Sequence, residues 1–268
     1  MNAVISSEVN EMSDSSTIFR GNTAATMSFK IYARMIGISY LFDVLSPTIR
    51  GIMQKFSDDR ATEEQIENAA EFSDVMTTKD TFEVDPSKLG EDADDGVLEV
   101  NNLQLTLSTQ RFINSITRSV KTIPMDLCDV VTHISACVQH KFPDAVVQAD
   151  SAFVFLRFYN PAIALPESYG LLPSPPDMEV RRSLVLITKV LATISSGASF
   201  KKEKFMMQFN TMAEEYFPKI DKFYAKISER SVSNQTPNQP HDFQVPSKLL
   251  NDCLSVISQR SKEILTQE

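Results

Sequence analysis

One stretch of the chain is apolar on almost every side. From Val146 to Phe158 the residues read VVQADSAFVFLRF, and no helical face gathers the few polar ones into a wet side. A helix that is hydrophobic all round is a buried one, so this stretch must be wrapped by other elements. The same run contains Arg157, set among Phe153, Val154, Phe155, Leu156, Phe158 and Tyr159. A buried guanidinium costs on the order of several kcal/mol unless its donors are paired. Something in the fold must accept from Arg157, either a buried carboxylate or main-chain carbonyls at a helix end.

The rest of the chain supplies the wrapping. Ala25, Phe29, Tyr32 and Ile36 recur at helical spacing over 22–37, and Leu41, Val44, Leu45, Ile49, Ile52, Met53 and Phe56 over 40–56, where Pro47 is expected to begin or kink a helix. Leu103, Leu107, Phe112, Ile116 and Val120 mark a further amphipathic helix; Leu127, Val130, Val131, Ile134, Val138 and Phe142 mark the next. Asn160-Pro161 is expected to stop the central helix. Leu184, Ile187, Leu191 and Ile194 form the stripe of a helix over 178–194, and 205–227 reads as helix interrupted at Pro218. Strand signals are weak, and with seven Gly and no Trp the chain lacks the regular Gly-rich turns of a sandwich or barrel. The expected fold is all-α: one irregular multi-helix domain over 1–230, a polar linker over 231–246 (SVSNQTPNQP at its start), and a C-terminal helix over 247–268 that Ser247 can cap.

Charge is uneven. The net charge is -9, yet 57–99 alone holds 15 acidic and three basic residues, leaving the remainder at +3. Like-charge repulsion predicts a solvated, flexible acidic insertion there, with a short helix at 62–72. The acidic balance argues against nucleic acid as a partner. No apolar run is long enough for a membrane span, and three Cys at unpatterned spacing fit a reducing, cytoplasmic setting. No P-loop or dinucleotide fingerprint occurs, so no cofactor is expected. His133, Cys137 and His140 share one side of a helix, but nothing else supplies a fourth ligand; they read as boundary positions, and no metal is expected.

Arg20 lies in the polar, Gly-containing stretch Ser15–Thr23 between two helices, where Asn22 or Thr23 can cap the helix that follows. Alone it reads as ordinary surface. Phe155-Leu156-Arg157-Phe158-Tyr159-Asn160-Pro161-Ala162-Ile163, continued by Pro166 and Gly170-Leu171, resembles the FLR-x-x-NPAI signature of Ras GTPase-activating domains. Ile18-Phe19-Arg20-Gly21-Asn22-Thr23 resembles the finger loop of the same family, and Thr81–Pro86 a stretch of its neurofibromin branch. The resemblance runs from about Thr17 to Arg230.

It implies that Arg20 is an arginine finger inserted in trans into a GTPase's nucleotide site, and that Arg157 holds the finger loop through its main-chain carbonyls. Phe19, Gly21, Asn22, Thr23, Leu156, Asn160, Pro161, Arg182 and Lys189 are then the residues expected to meet the GTPase. Helical geometry sets Arg182 and Lys189 together, opposite the core stripe of their helix. From Arg181 to Arg230 ten basic residues face five acidic ones, which suits an acidic partner surface. The implied partner is a Ras-family GTPase in its GTP-bound form, met in the cytoplasm or at the inner membrane face, and the chain is an activator rather than an enzyme in its own right. A non-catalytic scaffold of the IQ-motif type is the alternative; such relatives lack the finger arginine. Val185 departs from the basic residue common in neurofibromin-like sequences, and the short run before Arg20 is expected to mark a fragment or truncated product.

Overall fold

A computed structural model of the chain describes residues 1–15, 18–69, 82–89 and 95–233. Among them are nine α-helices and no strand: α1 (Asn2–Glu11), α2 (Ala24–Ala69), α3 (Pro86–Leu89), α4 (Asp95–Arg118), α5 (Met125–Lys141), α6 (Val146–Val154), α7 (Asn160–Ala164), α8 (Met178–Ser195) and α9 (Asn210–Ser233). None of the described helices is long and apolar enough to cross a membrane. The linker beyond Ser233 and the expected C-terminal helix lie outside the described residues, as do 70–81 and 90–94 of the acidic segment.

The apolar run is the centre of the molecule. Between Ala149 and Asn160 every side chain is buried except Leu156. α6, the turn after it and α7 pack against α2, α5 and α8, with α9 reached through the Phe155–Tyr224 ring contact at 6.2 Å. Asn160-Pro161 does not stop the helix, contrary to the local rule. Phe155–Tyr159 widens into a π-turn in which the Asn160 N–H donates to Phe155 O, and the chain then continues as α7. Pro161 therefore falls in the first turn of a new helical segment, where a missing N–H is tolerated.

Two other prolines are also accommodated. α2 runs unbroken through the exposed Pro47, so the two helices read from sequence are one of 46 residues, and α9 runs through Pro218. Residues 57–69, expected within a solvated excursion, continue α2. In the segment that follows the undescribed part, also expected to be solvated, Phe82 and Val84 are buried, and Phe82 meets the ring of Phe56 at 5.5 Å. On α4 the inner face holds Leu105, Thr109, Phe112 and Ile116, whereas Leu103 and Leu107 are exposed. Polar residues can occupy the inner face because they are satisfied there: Asn101 Nδ2 donates to Glu83 O (2.8 Å) and Thr109 Oγ1 to Leu105 O (2.7 Å).

α1 is fastened along α5. Lys141 Nζ donates to the carbonyls of Val9, Asn10 and Met12, capping the C-terminus of α1 with a cation. His133 Nε2 lies 2.9 Å from Ser6 Oγ and 3.1 Å from Asn2 O. His133 and Cys137 thus serve the α1–α5 contact, while His140 is exposed.

Gly37 decides how closely α2 approaches the π-turn. A Cβ there would stand 2.5 Å from Phe158 Cε2, and that ring is stacked parallel on Tyr40 with centroids 6.1 Å apart. Gly37→Ala is therefore expected to destabilise the fold by about 1–3 kcal/mol despite alanine's better helix propensity, read as a lowered urea midpoint at unchanged slope.

Asp150, buried in α6, accepts from Ser135 Oγ at 2.7 Å. Burial pushes its carboxyl up to about 7, with Asp221 adding to the rise and Ser135 opposing it. The unfolded chain releases this proton near the ordinary value of 3.8. Between the two values the folded state holds the extra proton, so stability falls as pH rises through this window, and the deficit is complete above about 7. Asp150→Asn keeps an acceptor for Ser135 Oγ without the titration. Its stability relative to the parent should be greater at pH 8 than at pH 5 by about 2 kcal/mol, measured by urea unfolding at both.

Candidate functional site

The loop before α2 is built inside out. Phe19 is 1 % exposed and Arg20, its neighbour, is fully at the surface. The Phe19 backbone has φ +52°, a left-handed conformation that an aromatic residue rarely adopts and that costs about 1–3 kcal/mol. Burial offsets the cost: the Phe19 ring meets Phe153 edge to face at 4.6 Å, and Phe153 also contacts Phe29 at 4.9 Å. Phe19 is thus an anchor whose side chain is spent in the core and is not free to meet a partner as expected. The same reversal turns Arg20 outward.

Downstream, Gly21 O is the fixed point. It accepts from Arg157 Nη2 (2.7 Å) and from Thr26 Oγ1 (3.0 Å). Thr23, rather than Asn22, caps α2. The Thr23 N–H donates to Thr26 Oγ1 (2.8 Å) and the Thr26 N–H to Thr23 Oγ1 (3.3 Å), a reciprocal capping box. Asn22 stays exposed.

Arg157 therefore answers the question its sequence context raises. Nη1 donates to Ala152 O (2.8 Å), a carbonyl five residues back in its own helix, and Nη2 crosses to the loop. Both acceptors are main-chain oxygens. Burial lowers the guanidinium's pKa, and the negative charge of Glu8 opposes that shift. Leu156, 43 % exposed, is the single residue of the π-turn that reaches solvent. Asn160 is buried and donates from Nδ2 to Thr188 O (3.3 Å), tying α7 to α8; Pro161 is half-buried.

On α8 the two basic residues singled out from sequence are both held within the chain. Arg182 grips Glu83 with a fork, Nε to Oε2 at 2.7 Å and Nη2 to Oε1 at 3.2 Å. Lys189 Nζ pairs with Glu203 and lies over the Phe205 ring at 5.9 Å. Both keep more than a third of their side-chain surface exposed, so they share the outer face expected of them. Val185, between them, is 40 % exposed. Glu83, Glu203, Thr26 and Glu8 escape the sequence reading, because each acts on a residue distant in the chain or through main-chain atoms.

A family model, GTPase-activator protein for Ras-like GTPase, matches residues 1–196. The chain belongs to this family. Among curated relatives, Ras GTPase-activating protein 2 of Homo sapiens is 29% identical over 252 residues, covering 89% of this chain and 27% of the relative. Ras GTPase-activating protein 3 of Rattus norvegicus is 29% identical over 220 residues, 81% of this chain and 23% of the relative. The GTPase-activating protein of Drosophila melanogaster is 26% identical over 245 residues, 87% and 19%. The chain thus spans about a quarter or less of the length of these relatives.

In this Ras GTPase-activator domain the Arg182–Glu83 pair holds the 82–85 segment to α8. Burial would raise the Glu83 carboxyl, but the bonds from Arg182 and the Asp85 N–H outweigh it and hold the pKa below its ordinary value. A depressed carboxyl contributes stability that is present above the unfolded value of 4.5 and is lost as pH falls through the folded one. Arg182→Ala should therefore cost about 1–2 kcal/mol at pH 7, allowing for the exposure of the arginine. In thermal unfolding the gap to the parent should narrow as the pH is taken below 4.5.

Proposed function

We propose that this chain accelerates GTP hydrolysis by a Ras-family GTPase in its GTP-bound form, with Arg20 entering the partner's nucleotide site in trans and Arg157 bracing the loop that carries it. The observation that carries this reading is the exposed Arg20 on a loop whose next carbonyl, Gly21 O, is pinned by a buried arginine. Kinship with proteins named as Ras GTPase-activating proteins supports the reaction class. The likeness of the Thr81–Pro86 stretch to the neurofibromin branch supports a place near that branch.

The chemistry needs little more than a placed charge. In GTP hydrolysis negative charge moves toward the β–γ bridge and spreads over the γ-phosphoryl oxygens. A guanidinium already held in position stabilises it without reorganising at the moment of reaction. Fingers of this kind contribute roughly 10³ to 10⁵ in rate, about 4 to 7 kcal/mol. Lysine, a point charge without the planar fork, is a poor replacement. Leu156, Asn160, Pro161, Gly21, Asn22, Thr23, Arg182 and Lys189 lie on the elements that flank Arg20 or on the basic outer face of α8, and serve docking and orientation in this reading. The chain acts as activator; the bond is broken in the partner.

Single-turnover hydrolysis by a panel of GTP-loaded Ras- and Rho-family GTPases tests it. The parent should accelerate at least one Ras-family member. Arg20→Ala should lose about 10³-fold or more of that acceleration at saturation, and Arg157→Ala, which frees the loop without removing the charge, about 10- to 100-fold. Full acceleration by Arg20→Ala would sink the finger assignment. A parent that binds a GTP-loaded partner and accelerates nothing would establish the scaffold reading instead.

A further inference from the structure

Arg157 and Phe153 are not the sole supports of the loop. Glu8, on α1, reaches the same place from outside both the loop and the central helix. Its Oε2 accepts from the Ala25 N–H at 3.2 Å. Ala25 is the second residue of α2, and its N–H has no partner within the helix. The carboxylate thus sits at the positive end of a long helix, where a negative charge is favoured. It is also the charge that offsets the burial of Arg157.

Its second oxygen, Oε1, is buried with no hydrogen-bond partner among the described residues. An orphaned carboxylate oxygen is costly, and a glutamate kept only for packing would be better replaced by an apolar side chain. What stabilises it is charge: the positive terminus of α2 that it bonds and its attraction for the Arg157 guanidinium. α1 itself cannot drift, because Ile5 and Val9 are buried, Lys141 caps its end and His133 holds its start.

We propose that Glu8 is a positioning residue for the finger loop, its negative charge keeping the Arg157 guanidinium against Gly21 O and its oxygen holding the first turn of α2 closed. This rests on the proposed function in that the loop's precision matters only if Arg20 acts in trans. Fraying of the first turn would release Thr26 Oγ1 from Gly21 O and open the Thr23–Thr26 capping box, and Arg20 is one residue from that carbonyl. Small errors of placement at a reacting centre cost up to about 10²-fold in rate.

The test uses the full chain carrying Glu8→Ala or Glu8→Gln, with Ile227→Ala as a control that lowers stability at a buried position of α9, outside α1, the loop and the central helix. Two readouts are taken: hydrogen exchange of the amides of residues 21–27 in the free chain, and single-turnover hydrolysis by GTP-loaded Ras titrated with activator. Exchange over 21–27 should rise at least about 10-fold in Glu8→Ala, while the maximal rate falls about 10-fold and the half-saturating concentration changes less than about 3-fold. Glu8→Gln, which keeps an acceptor for Ala25 but loses the charge, should fall between; Ile227→Ala should lower Tm with the maximal rate retained. Unchanged exchange in both Glu8 variants overturns the proposal. So does faster exchange with an unchanged maximal rate, which would leave Glu8 a purely structural cap. If the parent accelerates no GTPase, the proposed function fails, and the exchange result alone decides whether Glu8 secures the loop.

Discussion

The structure turns on one charge held in an apolar centre. Arg157 lies within an almost wholly buried run, and its two donating nitrogens find Ala152 O and Gly21 O. A guanidinium can be kept there because main-chain carbonyls accept without bringing a second charge that would itself need desolvating. The π-turn matters for the same reason. Widening the helix over Phe155–Tyr159 shifts the register between α6 and α7, so that Leu156 alone faces solvent while Arg157 is aimed inward. Local π geometry of this kind recurs at functional sites. The close approach of α2 at Gly37, the Tyr40–Phe158 stack and the Phe19–Phe153 contact all pack around that turn. A change in any of them reaches the loop through one or two contacts.

Rigidity of the loop is distributed between strain and bonding. Phe19 is held in a left-handed backbone by burial of its ring, which fixes the entry to Arg20. The exit is fixed by polar bonds to Gly21 O and by the threonine capping box. Arg20 thus has a constrained backbone on both sides and a solvent-exposed side chain. That division suits a group meant to stabilise charge in another molecule: the backbone's conformational entropy is lost on folding, leaving chiefly the side chain's to be lost on docking.

How much of this is legible in the sequence depends on whether a feature is local. The apolar run around Arg157 is readable from residue types alone, as is the need for acceptors, because desolvation of a charge is independent of topology. That the acceptors are Ala152 O and Gly21 O is not readable without the family resemblance, since main-chain oxygens carry no sequence signature. Pro161 and Pro218 mislead for a related reason. The local rule counts a lost N–H bond and a ring clash, while the π-turn before α7 sets Pro161 in a first turn and α9 continues through Pro218. Leu103 and Leu107 mislead because Asn101 and Thr109 can be buried once their bonds are satisfied, which a hydrophobic stripe cannot foresee. The acidic count over 57–99 says nothing of Phe82 and Val84, which are buried on either side of a Glu83 that meets Arg182.

That last pairing bears on how the basic face of α8 can work. Arg182 and Lys189 each already have a carboxylate, Glu83 and Glu203, so neither presents a bare cation to an incoming acidic surface. The Lys189–Glu203 pair is exposed on both sides, where a pair is worth at most about 1 kcal/mol and exchanging one carboxylate for another changes little, whereas Glu83 is buried and holds Arg182 more firmly. The pairs instead fix where the positive ends of two long side chains stand before any partner arrives. Their contribution is orientation and encounter, effects that fall with ionic strength, whereas the term that lowers a barrier must come from a guanidinium carried into the partner's dry site. In the proposed function Arg20 serves the second task and α8 the first, and the central helix joins them: α7 follows Arg157 by three residues and is bonded to α8 through Asn160. In that reading docking and finger placement are coupled through one central element rather than set by two independent ones.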